Sequence, residues 1–137
     1  MPMARETEAI TQTFTHYVQA FQTLNPHAML PYCHVPCMFL SPDGVRVMAT
    51  AAEVVALFTQ VMEGLKARRY ARSEVTDLHV HQMSEPLAVV SVSWVQFTAE
   101  GQERERLGET YTFRSIDDGW KIAGAIIHDP DTPLRCA

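Results

Sequence analysis

The chain has 137 residues, a length that suits one hydrophobic core and leaves too little for two. Its hydrophobic fraction of 47% against 20% charged residues excludes a disordered chain. A formal net charge of −5 argues against a nucleic-acid partner, because phosphate binding needs clustered cations.

No apolar run approaches the roughly 20 residues that cross a bilayer, so no membrane partner is expected. Met1 to Glu8 carries Arg5, Glu6 and Glu8 and lacks the apolar segment of a signal peptide. Cys33, Cys37 and Cys136 are odd in number and make no disulfide framework. Together these features imply a cytoplasmic, reducing environment.

In the first predicted helix, Ile10, Phe14, Tyr17, Val18, Phe21 and Leu24 recur at helical spacing and oppose Gln12, Gln19 and Gln22. Asn25-Pro26 ends it, since the residue before proline is pushed out of the α region. A short helical turn follows from Pro26 to Tyr32. Cys37 to Leu40 and Val45 to Met48 then flank Ser41-Pro42-Asp43-Gly44, the signature of a small hairpin. Thr50-Ala51-Ala52-Glu53 is a capping box that opens a second long helix. Val54, Phe58, Val61, Met62 and Leu65 share its apolar face. The basic cluster Lys66, Arg68, Arg69 and Arg72 reads as a solvated helix end complementing the macrodipole.

From Ser73 onward the period becomes two. Four strands, Glu74 to Met83, Leu87 to Thr98, Glu103 to Ile116 and Trp120 to His128, are separated by turns rich in Gly, Pro and Asp, which makes an antiparallel meander. Residues 1–130 form one domain and 131–137 a tail. On the second of these strands Val90, Val92 and Trp94 lie on one face while Leu87, Val89, Val95 and Phe97 lie on the other. A strand apolar on both faces must be covered on both. The helices cover one, so the outer sheet face is expected to meet a second copy in a homodimer.

Two spacings suggest metal. Cys33 and Cys37 form C-x3-C around His34, and His79-Val80-His81 with Glu85 has the HxHxxxE spacing of a cupin site. The cupin glycines are replaced by Ser73 and Val92. Alternation makes Thr76, Leu78 and Val80 the inward set, which turns His79 and His81 outward. The sequence is read as having no metal site and no cofactor.

The order helix, short helix, hairpin, capped helix and meander resembles the nuclear-transport-factor-2-like superfamily, which includes ketosteroid isomerases, scytalone dehydratases and SnoaL-like polyketide cyclases. The stretch from His16-Tyr17-Val18 to Ser41-Pro42-Asp43-Gly44 is similar to the isomerase segment from catalytic tyrosine to base, and Asp118-Gly119-Trp120-Lys121-Ile122 resembles the last hairpin. The resemblance implies an α+β cone-shaped roll, a strongly curved mixed or antiparallel sheet wrapped around two long helices and one short helix, with an apolar pocket inside. It makes Tyr17 the hydroxyl donor. Ser41 stands where the aspartate base would be, and serine is no base at neutral pH. The second oxyanion donor falls at Tyr111, with Thr110 and Thr112 as alternatives. Isomerase chemistry of the ketosteroid kind is therefore not expected.

On the last strand, alternation groups Trp120, Ile122, Gly124, Ile126 and His128, bringing a titratable imidazole to the pocket mouth. The candidate site has Tyr17 and His128 as catalytic groups, with Phe14, Phe39, Ser41, Phe58, Trp94, Tyr111 and Phe113 as pocket walls. The leading reading is a domain that binds a small hydrophobic ligand. The alternatives are an isomerase, dehydratase or cyclase acting on such a molecule, and a non-catalytic dimeric module. Native mass spectrometry is expected to give a mass near twice 15.4 kDa; a clean monomer at micromolar concentration sinks the dimer inference.

Overall fold

The computed structural model describes residues 3–117 and 119–130, so the expected tail at 131–137, with Cys136, lies outside the described residues. Helix α1 (Met3–Gln22) buries Ile10, Phe14 and Tyr17 along its apolar stripe. Thr23 and Leu24 leave the helix, Leu24 at a left-handed φ of 56°. Asn25 then caps a 3-10 helix (Pro26–Tyr32), its side chain accepting from the His27 N–H at 3.1 Å. Strands β1 (Cys33–Ser41) and β2 (Gly44–Met48) make the hairpin, β1 starting four residues before its apolar run. Helix α2 (Ala51–Ala67) opens on the capping box: Thr50 Oγ1 accepts from Glu53 N–H and Glu53 Oε1 accepts from Thr50 N–H. It buries Val54, Leu57, Met62 and Leu65.

Strands β3 (Tyr70–Ser84), β4 (Leu87–Thr98), β5 (Glu103–Ile116) and β6 (Gly119–His128) form the meander. The sheet runs β2-β1-β6-β5-β4-β3, with β1 and β6 parallel and every other pair antiparallel. This is an open, mixed six-stranded sheet around two long helices and one short one, an α+β cone. Phe14 and Tyr17 of α1, Met29 of the 3-10 helix and Met62 of α2 meet Val90, Val92, Trp94, Tyr111, Phe113, Trp120 and Ile122 of the sheet in one core. Among the described residues no helix is long and apolar enough to cross a membrane.

Two irregularities change which face a residue takes, because one extra residue in a strand inverts all that follow. In β3 the register against β4 shifts between Val75 and Asp77, so Val75 pairs with Trp94 and packs on the core where Thr76 was expected. In β6 the register shifts from Phe113–Ile122 to Thr112–Gly124, leaving Ala123 as the extra residue. Beyond it Ala125 and Ile127 face inward, and Ile126 and His128 face outward.

Part of the outer face of β4 and β5 is covered by the chain itself. After β6 the chain crosses over β5 and reaches β4, where the Pro130 carbonyl accepts from Ser93 Oγ at 2.7 Å. The crossing point is Gly108: a Cβ there would lie 2.5 Å from both the Asp129 carbonyl oxygen and His128 Nδ1. Beneath this strap Thr110 Oγ1 contacts His128 Nε2 and Ser91 Oγ, each at 2.8 Å. The basic cluster is engaged with carboxylates: Arg68 with Glu105, Arg69 with Glu100 and Arg72 with Glu74. His79 and His81 pair with Ser91 and Val89 on the outer face, and His79 lies 3.0 Å from Asp77.

Two glycine substitutions of opposite sign test this account. Gly108→Ala must displace a backbone carbonyl and is expected to destabilise by about 1–3 kcal/mol. Gly64→Ala, within α2 and with nothing within 4 Å of the added methyl, is expected to stabilise by about 0.5–1 kcal/mol. Urea denaturation measures both, and equal effects contradict the crossing.

Candidate functional site

Alternation along β5 sends Glu105, Leu107, Glu109 and Tyr111 to the concave face, where they line a cavity of about 240 Å³. Helix α1 supplies Tyr17 and Phe21 to its wall, and α2 supplies Leu57, Phe58, Val61 and Leu65. Cys33, Cys37 and Phe39 come from β1, Ser73 from β3, Trp94 and Gln96 from β4, and Ile122, Ala125 and Ile127 from β6. Arg68 and Glu105 pair at 3.8 Å with both side chains about half exposed, which places the mouth at the end of α2.

Four rings hold the deep end. Tyr111 meets Phe14 edge-on at 5.2 Å and Tyr17 edge-on at 5.5 Å between centroids. Phe14 also contacts Tyr17 at 6.0 Å and Trp94 at 5.9 Å. Phe14 is thus a buttress behind the rings that face the cavity.

Glu109 sits among these rings, level with Val92 of β4 and Ile127 of β6. By accessible surface it is partly buried, with protein packed around its carboxyl, and it lines the cavity wall. Tyr111 donates its hydroxyl to Glu109 Oε1 at 2.8 Å. Burial pushes the carboxyl up from its ordinary 4.5 to about 7, against the opposing pull of the Tyr111 hydroxyl and the Trp94 indole N–H. Burial likewise lifts Tyr17 and Tyr111 well above 10, with the Glu109 charge adding to both. Both phenols therefore stay protonated as donors. Burial and the neighbouring Cys37 push Cys33 up to about 12, and burial raises Cys37. The two thiols are apolar wall groups and poor nucleophiles.

The structure brings Tyr17, Phe39, Phe58, Trp94 and Tyr111 together around the cavity. Phe14 and Phe113 lie in the core behind the wall. Ser41 is not in the wall: it ends β1, pairs with Gly44, and its Oγ accepts from the Asp43 N–H at 3.2 Å as part of the turn. His128 is not at the mouth. The extra residue at Ala123 turns it to the outer face, where Thr110 and the Asp129 carbonyl hold its ring. Of the three candidates for the second donor position, Tyr111 faces the cavity and Thr110 faces outward.

Glu109 was absent from the expected site. It follows Glu103, Arg104, Glu105 and Arg106 and looks like one more charge on a solvated strand. Its signal was parity: two residues before Tyr111, it must share that residue's face. Among the described residues no three His, Cys, Asp or Glu side chains converge as a metal-binding group.

A family model described as NTF2-like protein (DUF6841) matches residues 5–130. No curated protein matches the sequence. Among solved structures, Aln2 from a Streptomyces species aligns with a TM-score of 0.78 at 11% identity, covering 96% of this chain and 95% of that one. An NTF2-like protein with a cystatin-like fold from Novosphingobium aromaticivorans aligns at 0.75 and 16% identity, covering 94% and 84%. An NTF2-like protein of unknown function from Shewanella oneidensis aligns at 0.72 and 18% identity, covering 90% and 99%. Identities this low carry the fold alone.

The raised Glu109 pKa has a stability consequence of definite sign. The folded state binds this proton more tightly than the unfolded chain, so the contribution is full below about pH 4.5 and is lost as pH rises through about 7. Glu109→Gln is expected to be more stable than the parent by roughly 2–3 kcal/mol at pH 8, with the difference shrinking toward pH 5. Urea midpoints at pH 5, 6, 7 and 8 measure it, and a pH-independent difference contradicts a desolvated carboxyl.

Proposed function

The chain belongs to the NTF2-like protein family (DUF6841), and on that fold we propose that the cavity takes a small, mostly apolar molecule and exchanges a proton with it through Glu109. The protein is on this reading an isomerase- or lyase-type enzyme. One observation carries it: the Glu109 carboxyl lies in the wall of a mostly apolar cavity, hydrogen-bonded to the Tyr111 phenol and pushed up to about 7 by burial. A general base works best when its pKa lies near the working pH, and desolvation is the ordinary way to raise a carboxyl that far. Tyr17 supplies an O–H that stays protonated and adjoins the carboxyl, suited to negative charge developing on a substrate oxygen. Ser41 leaves the isomerases' base position without a base, and Glu109 offers one from a different strand. Such chemistry draws on no cofactor.

The size of the cavity supports a compact ligand. About 240 Å³ falls just under the roughly 300–1,000 Å³ of drug-sized pockets, and is more space than a core filled by its own side chains leaves. The homodimer through the outer sheet face remains part of this proposal, and the β1–β2 hairpin adds exposed apolar surface to that face. Met38, Val45 and Val47 share its outer face and are 42%, 58% and 64% exposed, whereas the 128–130 strap covers the middle of β4. Free Cys33 and Cys37 in the wall suit a cytoplasmic setting.

The test is exchange of α-protons for deuterium in a panel of cavity-sized ketones such as 2-tetralone, followed by proton NMR. The rate is expected to rise with pH through about 7, to fall about 100-fold or more in Glu109→Gln, and to fall less in Tyr17→Phe. Exchange undiminished in Glu109→Gln, or none above buffer across the panel, sinks the enzymatic reading.

A further inference from the structure

Trp94 pairs with Leu107, two residues before Glu109 on the same face, so the indole and the carboxyl are diagonal neighbours across β4 and β5. The tryptophan is 5% exposed, and its Nε1 is buried without a hydrogen-bond partner of ordinary geometry. An indole N–H can only donate, and leaving a buried donor unpaired is costly. The register of β4 on β5 nevertheless puts this donor on the same face as Glu109, one diagonal step away. It is therefore near the carboxyl but not closed onto it. Phe14 packs against the indole from α1 and limits its retreat.

Building on the assignment of Glu109 as the proton-transfer group, we propose that Trp94 is its positioning residue: the Nε1–H closes on the carboxylate when Glu109 ionises. Tyr111 already donates to Oε1 from β5. Donors on two adjacent strands then fix the plane of the carboxylate at the cavity wall. A neutral carboxyl is a weak acceptor and tolerates the open contact; a carboxylate is a strong one and draws the donor in. The contact is thus made by the base form, and it steadies the group in the state that accepts a proton.

The surroundings make the effect readable. The other titratable groups turned toward this end are Tyr17 of α1, Tyr111 of β5, and Cys33 and Cys37 of β1; all four are pushed up by burial. Helix α2 and strand β6 contribute apolar side chains there, β3 contributes Ser73, and the Arg68–Glu105 pair stands at the mouth. Glu109 is therefore the enclosed group that changes charge between about pH 5 and 9.

The experiment reads the resting protein and needs no substrate. The chain has two tryptophans, so a nitrogen-15 labelled sample gives two indole N–H signals, assigned with Trp94→Phe or, should that variant not fold, with Trp120→Phe. The Trp94 proton is expected to move downfield as pH rises, with the same midpoint as the Glu109 carboxyl carbon, and to stop moving in Glu109→Gln. In Trp94→Phe the Glu109 midpoint is expected to rise by about half to one unit. A Trp94 proton that stays fixed while Glu109 titrates near 7 overturns the positioning role and leaves the base assignment intact. A Glu109 carboxyl that titrates near 4.5 overturns both.

Discussion

The carboxyl of Glu109 borders a cavity that offers it one phenol and one indole N–H in place of water. Removing water from an ionisable group costs several kcal/mol unless the surroundings replace its hydration, and two neutral donors replace only part. The group responds by holding its proton to about neutral pH. The rings of Tyr17, Tyr111 and Trp94 exclude water, Phe14 braces them, and the Arg68–Glu105 pair lies away at the mouth, where solvent screens it.

The carboxyl is therefore a liability for folding. A leucine at this point of β5 would continue the apolar run of Leu107 and bury without electrostatic cost. Groups kept against the interest of stability are found where chemistry or binding uses them. The outer face uses its polar groups differently. Ser91, Thr110 and His128 satisfy one another beneath the strap, and Gly108 is the position that lets the strap come down. The same strand thus carries a satisfied polar row on one face and an under-satisfied carboxyl on the other. The second has a cavity in front of it.

The cone was legible in the sequence because it rests on local signals. The α1 stripe from Ile10 to Phe21, the capping box at Thr50, the Ser41-Pro42-Asp43-Gly44 turn and the four period-two runs each state their own geometry. The aromatic walls Tyr17, Phe39, Phe58, Trp94 and Tyr111 follow from placing those elements in the cone. His128 went astray for a reason that alternation cannot see. Simple parity from Ile122 assigns it inward, and a single extra residue at Ala123, visible only as a register shift against β5, reverses it. Ser41 went astray because a position carried over from the isomerases lies here within the turn itself.

By itself, then, the sequence determined the elements, their order and the apolar character of the concave face, since periodicity, caps and turns act over a few residues. Tertiary structure decided which polar groups share that face. Glu109 becomes unusual only when β4, β6 and the two helices close around it, because desolvation is a property of the surroundings and not of the residue. The covering of β4 was decided in the same way: the segment that crosses it comes from 128–130, more than thirty residues on, and reaches Ser93 only after the sheet has curved.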